Sequence, residues 1–522
     1  MSVSPLSVVI LAAGLGTRMK SSRAKVLHRV AGRPMIEYPV ALACSLGARR
    51  IVAVLGHQLE AVKAAIDARF APGAVEVALQ AEQRGTGHAV MQAAPLLANE
   101  QGQCLVLCGD VPLMTEGVLR QLVEAAGTSK TAILTFRPPS PQGYGRIVRD
   151  SNKTFVKIVE QKDATDDQRR IAEVNAGIYC GPTRFFMDAL SSLTPNNAQG
   201  ELYLTDVIEQ AGRAMEVVSI ECPTEEVMGI NDRCDLAKAD RVMRLRIAER
   251  HQRAGVTISA PESVTIEPDV VIGRDVELGA GVELRGKTSI GDGTRLETGV
   301  IITDTRIGKD VHVKPYCVMT DSEVRDGGII GPWAHLRPGT LLEEGVHIGN
   351  FVETKKARLG KGSKANHLSY LGDADIGEKV NIGCGTITCN YDGYNKYLTT
   401  IGNGVFVGSD TQLVAPVTVG DGASIGAGTT VYEDVPPNAL ALTRTRQIAV
   451  PGWAAWKRAA VAAAKAGEPA PQRPSRPTVS ARPIGDPPVK APTAMKAASK
   501  KTPVAKKKKA PVAKKKNTRA RR

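Results

Sequence analysis

Aromatic residues make up only 4% of this 522-residue chain. That scarcity suits a narrow interior filled by Ile, Val and Leu and argues against a core of stacked rings. The nine cysteines are scattered, and no two stand as C-x-x-C, so neither a disulfide framework nor a structural zinc site is supported. A reducing, cytoplasmic setting fits best. The apolar opening stretch at residues 8–13 is too short for a membrane span, and no basic region with a small-residue cleavage site frames it. It reads as the first strand of a protein that is not integral to a membrane. Acidic residues are nearly missing from the C-terminal end, where residues 457–522 hold 20 Lys or Arg against Glu468 and Asp486. This segment carries +18, so with a total of +15 residues 1–456 carry −3. Binding to nucleic acid or an anionic surface is therefore arguable for the tail alone. Its Ala, Pro and Lys cannot build a core, and residues 457–522 are expected to be a disordered basic tail.

What the chain has in abundance is a beat of six. Ile266, Ile272, Leu278, Leu284, Ile290, Leu296 and Ile302 fall six apart, and the beat returns at Ile330, Leu336, Leu342 and Ile348 and at Ile401, Val407, Leu413, Val419, Ile425 and Val431. A helix would space apolar residues by three and four, and a half-buried strand would alternate them. A period of six means short strands and turns stacked as a parallel β-helix, with one apolar side chain per hexad pointing inward. Val264, Val270, Val276 and Val282 form a second lane two residues earlier. The pattern resembles the hexapeptide repeat of left-handed β-helix acyltransferases. One interruption lies between Ile382 and Ile401, 19 apart, one residue more than three hexads. An insertion into a solenoid maps to a loop leaving the coil, and such loops often carry function.

Residues 1 to 231 read differently. Strand-like runs at 8–11, 51–55, 75–79, 104–107 and 132–136 alternate with helical ones, which predicts βαβ units and a mostly parallel, Rossmann-like sheet. Residues 232–255 predict a linker helix, and the β-helix is placed at 256–456.

Directly after the first strand stands Leu11-Ala12-Ala13-Gly14-Leu-Gly16-Thr-Arg18-Met, with Lys25 one short loop on. A glycine turn between strand and helix lets backbone N–H groups approach phosphate oxygens. The turn lacks the third glycine of the dinucleotide fingerprint and the Gly-Lys-Ser/Thr of a Walker loop. Two cations beside it suit a triphosphate that loses pyrophosphate. Asp110, at the end of a strand in Cys108-Gly-Asp-Val-Pro, is placed where open α/β sheets bind ligands and is a candidate Mg²⁺ ligand. Within the β-helix, Arg337, Lys355, His367 and Tyr370 fall on nearby coils. Histidine, with a reference pKa of about 6.5, suits the general base that amine attack on a thioester requires.

The glycine loop, Gln80-Ala-Glu-Gln-Arg-Gly85-Thr86-Gly-His, Gly109-Asp110-Val-Pro, Gly143-Tyr-Gly145-Arg, Ile158-Val-Glu160 and Val174-Asn175-Ala-Gly-Ile resemble the sugar-1-phosphate nucleotidyltransferases. Joined to the hexapeptide β-helix, they are similar to a bacterial family with two activities, N-acetylglucosamine-1-phosphate uridylyltransferase and glucosamine-1-phosphate acetyltransferase. The resemblance spans residues 6–450 or so. It implies acetyl transfer from acetyl-CoA to glucosamine-1-phosphate, then uridylyl transfer from UTP to N-acetylglucosamine-1-phosphate with loss of pyrophosphate. The product, UDP-N-acetylglucosamine, supplies peptidoglycan and lipopolysaccharide synthesis.

The resemblance further implies that Leu11 to Gly14, Lys25, Gln80, Gly85 and Thr86 hold the uridine nucleotide, that Gly145, Glu160 and Asn175 hold the sugar, and that Asn231 joins Asp110 on Mg²⁺. Arg18 and Lys25 neutralise the phosphates. His367 is the base, Arg337 and Lys355 grip the sugar phosphate, and Tyr370 and Asn381 orient the amino sugar. Cys384, Asn390, Tyr391, Ser409, Ala427 and Arg444 are the implied acetyl-CoA contacts. The family assembles as homotrimers that share acetyl-transfer sites between chains. Cys108 departs from the family pattern, which has an aromatic residue there, and Cys384 departs from an alanine. The alternative left open is a single-activity nucleotidyltransferase whose β-helix is structural only.

Overall fold

The computed structural model describes residues 5–443 and 448–475. The chain divides into two compact units, residues 1–444 and 445–522. The first unit opens with a mixed sheet of nine strands among the described residues: β1 (Leu6–Ala12), β2 (Arg50–Leu55), β3 (Glu76–Leu79), β4 (Gln103–Cys108), β5 (Thr131–Phe136), β6 (Arg146–Arg149), β7 (Phe155–Val159), β8 (Val174–Pro182) and β9 (Val217–Glu221). The path runs β9-β5-β8-β4-β1-β2-β3, with β6 and β7 attached beside β8. Strands β1 to β4 are parallel, and β8 runs antiparallel to β4 and β5. Their near-continuous apolar sequences follow from helices on both faces, which bury both sides of β1, β2 and β4. The central position of β1 brings its C-terminal end, and the glycine loop that follows, next to the ends of β2 and β4.

The helix Arg233–Arg253 leads into the second sheet. Asp232 caps it by accepting from the Cys234 and Asp235 amides, at 2.8 and 2.9 Å, and its last turn carries Arg250, His251 and Arg253 toward the negative end of the helix dipole. Ile247 and Ala248 are buried in the same core as the first β-helix coils, so the helix closes the end of the solenoid.

From Thr257–Ile258 to Leu440–Ala441 short parallel strands stack as the left-handed β-helix, each pairing with the strand one full coil on. Thr265 pairs with Glu283 and Ile266 with Leu284, a coil of three hexads. Both apolar lanes are interior: Ile266, Leu278 and Leu284 are buried, and so are Val264, Val270, Val276 and Val282. Two side chains per hexad fill the core, one more than the beat alone implies. The insertion is also larger than the apolar lane suggests. Ile382 pairs with Val407 and Ile376 with Ile401, 25 residues apart in each case, against 18 in the first coils. The count fails because the lane passes through Thr388, which is buried but not apolar, before the chain leaves the coil.

In the second unit, Trp453–Ala466 is a helix, so regular structure runs past the expected start of disorder at 457. The physical reason is its alanine content, since alanine has the best intrinsic helix propensity, while Gly467 in the left-handed conformation ends it. The Trp456 indole N–H donates to the Pro471 carbonyl at 2.7 Å, and the Arg473 guanidinium lies 5.6 Å from the ring centre. The expected disorder of residues 476–522 and the expected acetyl-CoA contact at Arg444 lie outside the described residues. No helix among the described residues is long and apolar enough to cross a membrane.

Candidate active sites

The loop after β1 and the ends of β3 and β4 enclose a cavity of about 330 Å³. Leu11, Ala12, Ala13, Gly14, Lys25, Gln80, Gly85, Thr86 and Asp110, all singled out from sequence, line it together with Cys108. Gly16 turns at φ 62, and a Cβ there would lie 2.6 Å from the Lys25 Cβ, so glycine lets Lys25 pack against the loop. Gly85 caps the helix Thr86–Leu97 at φ 106, and a Cβ on it would meet the Leu202 carbonyl at 2.5 Å. Gly14 has nothing within 4 Å of its Cβ position, which leaves its backbone open to the cavity.

At one wall the Lys25 ammonium sits 2.5 Å from the Asp110 carboxylate and 3.5 Å from the Asn231 amide oxygen. Arg18 also donates to that amide oxygen, at 2.8 Å. The four side chains thus converge from three distant parts of the chain, helped by the Ile230 amide, which donates to the Asp110 carbonyl at 3.0 Å. Gly145, Glu160 and Asn175 form a neighbouring cluster. Asn175 N–H donates to the Gly145 carbonyl at 2.9 Å, and a Cβ on Gly145 would lie 3.4 Å from Glu160. Burial holds the Glu160 carboxyl above its usual range, against a hydrogen bond from Thr205 that lowers it. Cys108 joins the two clusters by donating to the Gly177 carbonyl at 3.6 Å, and burial, with Asp110 second, pushes its thiol up to about 12. Gln83, inside the Gln80–Gly85 motif but given no role there, and Glu201, outside every motif, also line the cavity.

The β-helix residues divide between two faces. The strands His347–Leu359 and Lys364–Ile376 lie side by side, with Asn350 paired to His367, Glu353 to Tyr370 and Lys355 to Gly372. Both strands turn a corner with positive φ at Phe351 and Leu368 and again at Lys356 and Asp373. His367 therefore stands before a corner, and Tyr370 and Lys355 stand after it. On the far side Arg337 reaches Glu353 at 2.7 Å and neighbours Lys355 through the Leu336–Thr354 pairing. The Tyr370 phenol covers Gly372, beside Lys355. Lys396, on the inserted loop, completes this group: its ammonium, followed by Arg337, holds the Lys355 pKa below the usual lysine range. Arg337, Lys355 and Lys396 against the single carboxylate of Glu353 leave an excess of positive charge that suits an anion. Asn381 lies on the His367 side, paired with Lys364.

Cys384, Ser409 and Ala427 occupy one column of successive coils. Asp410 N–H donates to the Cys384 carbonyl at 2.7 Å, and Gly428 N–H to the Ser409 carbonyl at 2.8 Å. All three are exposed. Asn390 is buried and held by Asp373, whereas Tyr391 is exposed at the base of the inserted loop.

Two family models match the two halves of this architecture: a MobA-like NTP transferase domain at residues 8–172 and the bacterial transferase hexapeptide, six repeats, at residues 398–433. The chain is 50% identical over 470 residues to the bifunctional protein GlmU of Anaeromyxobacter sp. (strain Fw109-5), covering 90% of this chain and 96% of that protein. It is also 50% identical over 455 residues to the bifunctional protein GlmU of Pelobacter propionicus, covering 86% of this chain and 98% of that protein. The chain belongs to the bifunctional GlmU family. It is thus an enzyme with two transferase activities, a uridylyltransferase and an acetyltransferase, using nucleotide and acetyl-CoA substrates.

Proposed function

We propose that the cavity beside the glycine loop uridylylates N-acetylglucosamine-1-phosphate and that the β-helix acetylates glucosamine-1-phosphate, so that one cytoplasmic protein makes UDP-N-acetylglucosamine. The observation that carries the first assignment is the convergence of Arg18, Lys25, Asp110 and Asn231 at the wall of the cavity. Leu11 to Gly14, Gln80, Gly85 and Thr86 hold the uridine nucleotide. Gly145, Glu160 and Asn175 hold the sugar. A phosphate oxygen of the sugar phosphate attacks the α-phosphorus of UTP, and pyrophosphate leaves. The protein's part is positioning and charge neutralisation by Arg18 and Lys25.

Asp110 and Asn231 supply two oxygens that contact one and the same ammonium, a donor set that suits Mg²⁺, which takes few protein ligands and fills its shell with phosphate and water. These two residues would hold the ion, which supplies charge neutralisation on the phosphates. The Lys25 and Arg18 cations contact these same oxygens, so both are at hand for phosphate.

In the β-helix, His367 removes the proton from the amine as it attacks the thioester carbonyl, and the CoA thiolate leaves. Arg337, Lys355 and Lys396 receive the sugar phosphate, with Tyr370 and Asn381 orienting the sugar. Cys384, Asn390, Tyr391, Ser409, Ala427 and Arg444 flank the acetyl-CoA. The functional protein is a homotrimer. The division of His367 from the phosphate-binding cations by a corner supports sites built between chains. The concentration of +18 in residues 457–522 supports a further role for the tail, tethering the enzyme to nucleic acid or another anionic surface. Retention on duplex DNA that fades with salt and with deletion of residues 476–522 tests this.

Incubation with glucosamine-1-phosphate, acetyl-CoA, UTP and Mg²⁺, reading CoA thiol and pyrophosphate separately, tests the main reading. Release of both is expected. Pyrophosphate from N-acetylglucosamine-1-phosphate without any CoA release from glucosamine-1-phosphate would reduce the β-helix to a scaffold.

A further inference from the structure

The segments that carry Arg18, Lys25 and Asn231 meet at a fourth side chain behind them. Arg233, two residues after Asn231 and the first residue of the helix Arg233–Arg253, donates through Nε to the Met19 carbonyl at 3.3 Å and through Nη1 to the His28 Nδ1 at 3.2 Å. Met19 directly follows Arg18, and His28 ends the short turn Lys25–Leu27. One guanidinium therefore links all three segments. It stands outside the wall of the nucleotide cavity and lines a separate cavity of about 570 Å³ together with Arg29, Asp240 and Glu267.

This arrangement is not the one stability alone would choose. A cation in the first turn of a helix faces the positive end of the helix dipole, and among the described residues no carboxylate pairs with Arg233, whose hydrogen bonds go to a carbonyl and an imidazole. His28 carries a cost as well. A guanidinium has only donors, so Nδ1 of His28 accepts and the ring hydrogen sits on Nε2, which is buried without a partner in a residue only 5% exposed. A buried unpaired donor is unfavourable. Burial, followed by Arg233 and Arg23, holds the His28 pKa below its ordinary value, which keeps the ring neutral and Nδ1 free to accept. Two unfavourable features at one contact point to a role in the site beside it.

We propose that Arg233 is a positioning residue for uridylyl transfer and that His28 is its anchor. The guanidinium fixes Met19 and His28 at a set spacing behind the phosphate site, so that Arg18 reaches Asn231 at 2.8 Å and Lys25 reaches Asp110 at 2.5 Å, while Arg233 itself touches no substrate. A small displacement of charge-neutralising groups is enough to cost rate. The inference rests on the uridylyl-transfer reading above and extends it to two residues outside the nucleotide cavity.

Steady-state kinetics of pyrophosphate release from UTP and N-acetylglucosamine-1-phosphate test this on the full chain. Arg233→Ala should lower kcat at least about tenfold with the KM for UTP within about threefold, because the nucleotide keeps its cavity contacts while the cations lose their register. The His28 variants separate positioning from packing. His28→Asn can offer an amide oxygen where Nδ1 stood and should stay within about threefold of the wild type, whereas His28→Leu fills space without an acceptor and should fall as far as Arg233→Ala. Combining Arg233→Ala with His28→Leu should add little further loss, since both break one linkage. CoA release from acetyl-CoA and glucosamine-1-phosphate in the same preparations should stay within about twofold. An unchanged kcat in Arg233→Ala, or a His28→Asn variant as impaired as His28→Leu, would overturn the inference and leave the uridylyl-transfer reading standing. A parallel loss of CoA release would also overturn it, by tracing the defect to folding. A wild type that releases no pyrophosphate would overturn the uridylyl-transfer reading and this inference with it.

Discussion

His367 and Cys384 stand on neighbouring coils, and the chemistry of their side chains separates what each contributes. A base must take the proton of the amine as it attacks the thioester, so His367→Ala is expected to lower acetyl transfer about 10²-fold or more and to spare uridylyl transfer, measured as CoA thiol and pyrophosphate release. An unchanged acetyl rate would mean that the base lies elsewhere. Cys384 is exposed on the column that continues to Ser409 and Ala427. A covalent acetyl-cysteine would need a neighbouring base to take the thiol proton, and the resemblance assigns that role to none of the residues around Cys384. Cys384→Ala should therefore keep most acetyl transfer, while a maleimide on the wild-type thiol blocks it by bulk and leaves Cys384→Ala indifferent. A dead Cys384→Ala variant would instead point to a covalent step. Lys396 shows where residue-scale reading stopped. Its segment was recognised as an inserted loop, but its proximity to Lys355 and Arg337 depends on how far that loop folds back, which spacing along the chain does not encode. The residues lining the nucleotide cavity were legible because a glycine turn and a strand end fix their own local geometry.

At the scale of elements, period carried most of the information. A lane of six has no other structural solution, so the β-helix was readable from Ile266 to Val431, and the βαβ alternation placed β1 to β5 within a residue or two. The antiparallel β8 escaped because its Val174-Asn175-Ala-Gly stretch contains an irregular register against β5 and has no clean alternation. The inserted coil was undercounted because Thr388 fills an apolar slot, its hydroxyl satisfied by the Gly372 carbonyl at 2.9 Å. Glycines between coils offer a test of how tightly these elements are stacked. A Cβ on Gly349 would lie 1.8 Å from the Asn366 carbonyl oxygen, between the two strands that carry Asn350 and His367. Gly349→Ala is expected to destabilise the β-helix by about 1–3 kcal/mol in denaturant unfolding, the usual range for overpacking, and to depress acetyl transfer more than uridylyl transfer. Gly14→Ala, with open space at its Cβ position, should leave stability within about 0.5 kcal/mol while impairing uridylyl transfer. Equal stability losses in the two variants would refute this account of the packing.

For the molecule as a whole, the question is whether two sites on one chain act separately. Contacts do join the segments around the mixed sheet to the β-helix end of the chain: Arg33 and Arg69 both reach Asp269, at 2.5 and 2.6 Å, and the Ala31 amide donates to Asp240 of the helix Arg233–Arg253 at 2.8 Å. These contacts hold the glycine-loop side of the mixed sheet against the first coils. The candidate acetyl-transfer residues begin only at Arg337, four coils beyond Asp269 by the pairing of successive strands. Asp110 touches none of the junction residues, and its carboxylate partner is Lys25. Removing it takes away one of two candidate Mg²⁺ ligands and leaves the ammonium of Lys25 without its neutralising charge, a change confined to the nucleotide cavity. Asp110→Ala is therefore expected to abolish pyrophosphate release from UTP and N-acetylglucosamine-1-phosphate while keeping CoA release from acetyl-CoA and glucosamine-1-phosphate within about twofold, since distant sites without shared partners respond independently. Both half-reactions should be measured on the same folded preparation. If CoA release collapses in parallel with pyrophosphate release, the junction at Asp269 transmits the state of one site to the other, and Asp269→Asn in the Asp110→Ala background should then restore acetyl transfer.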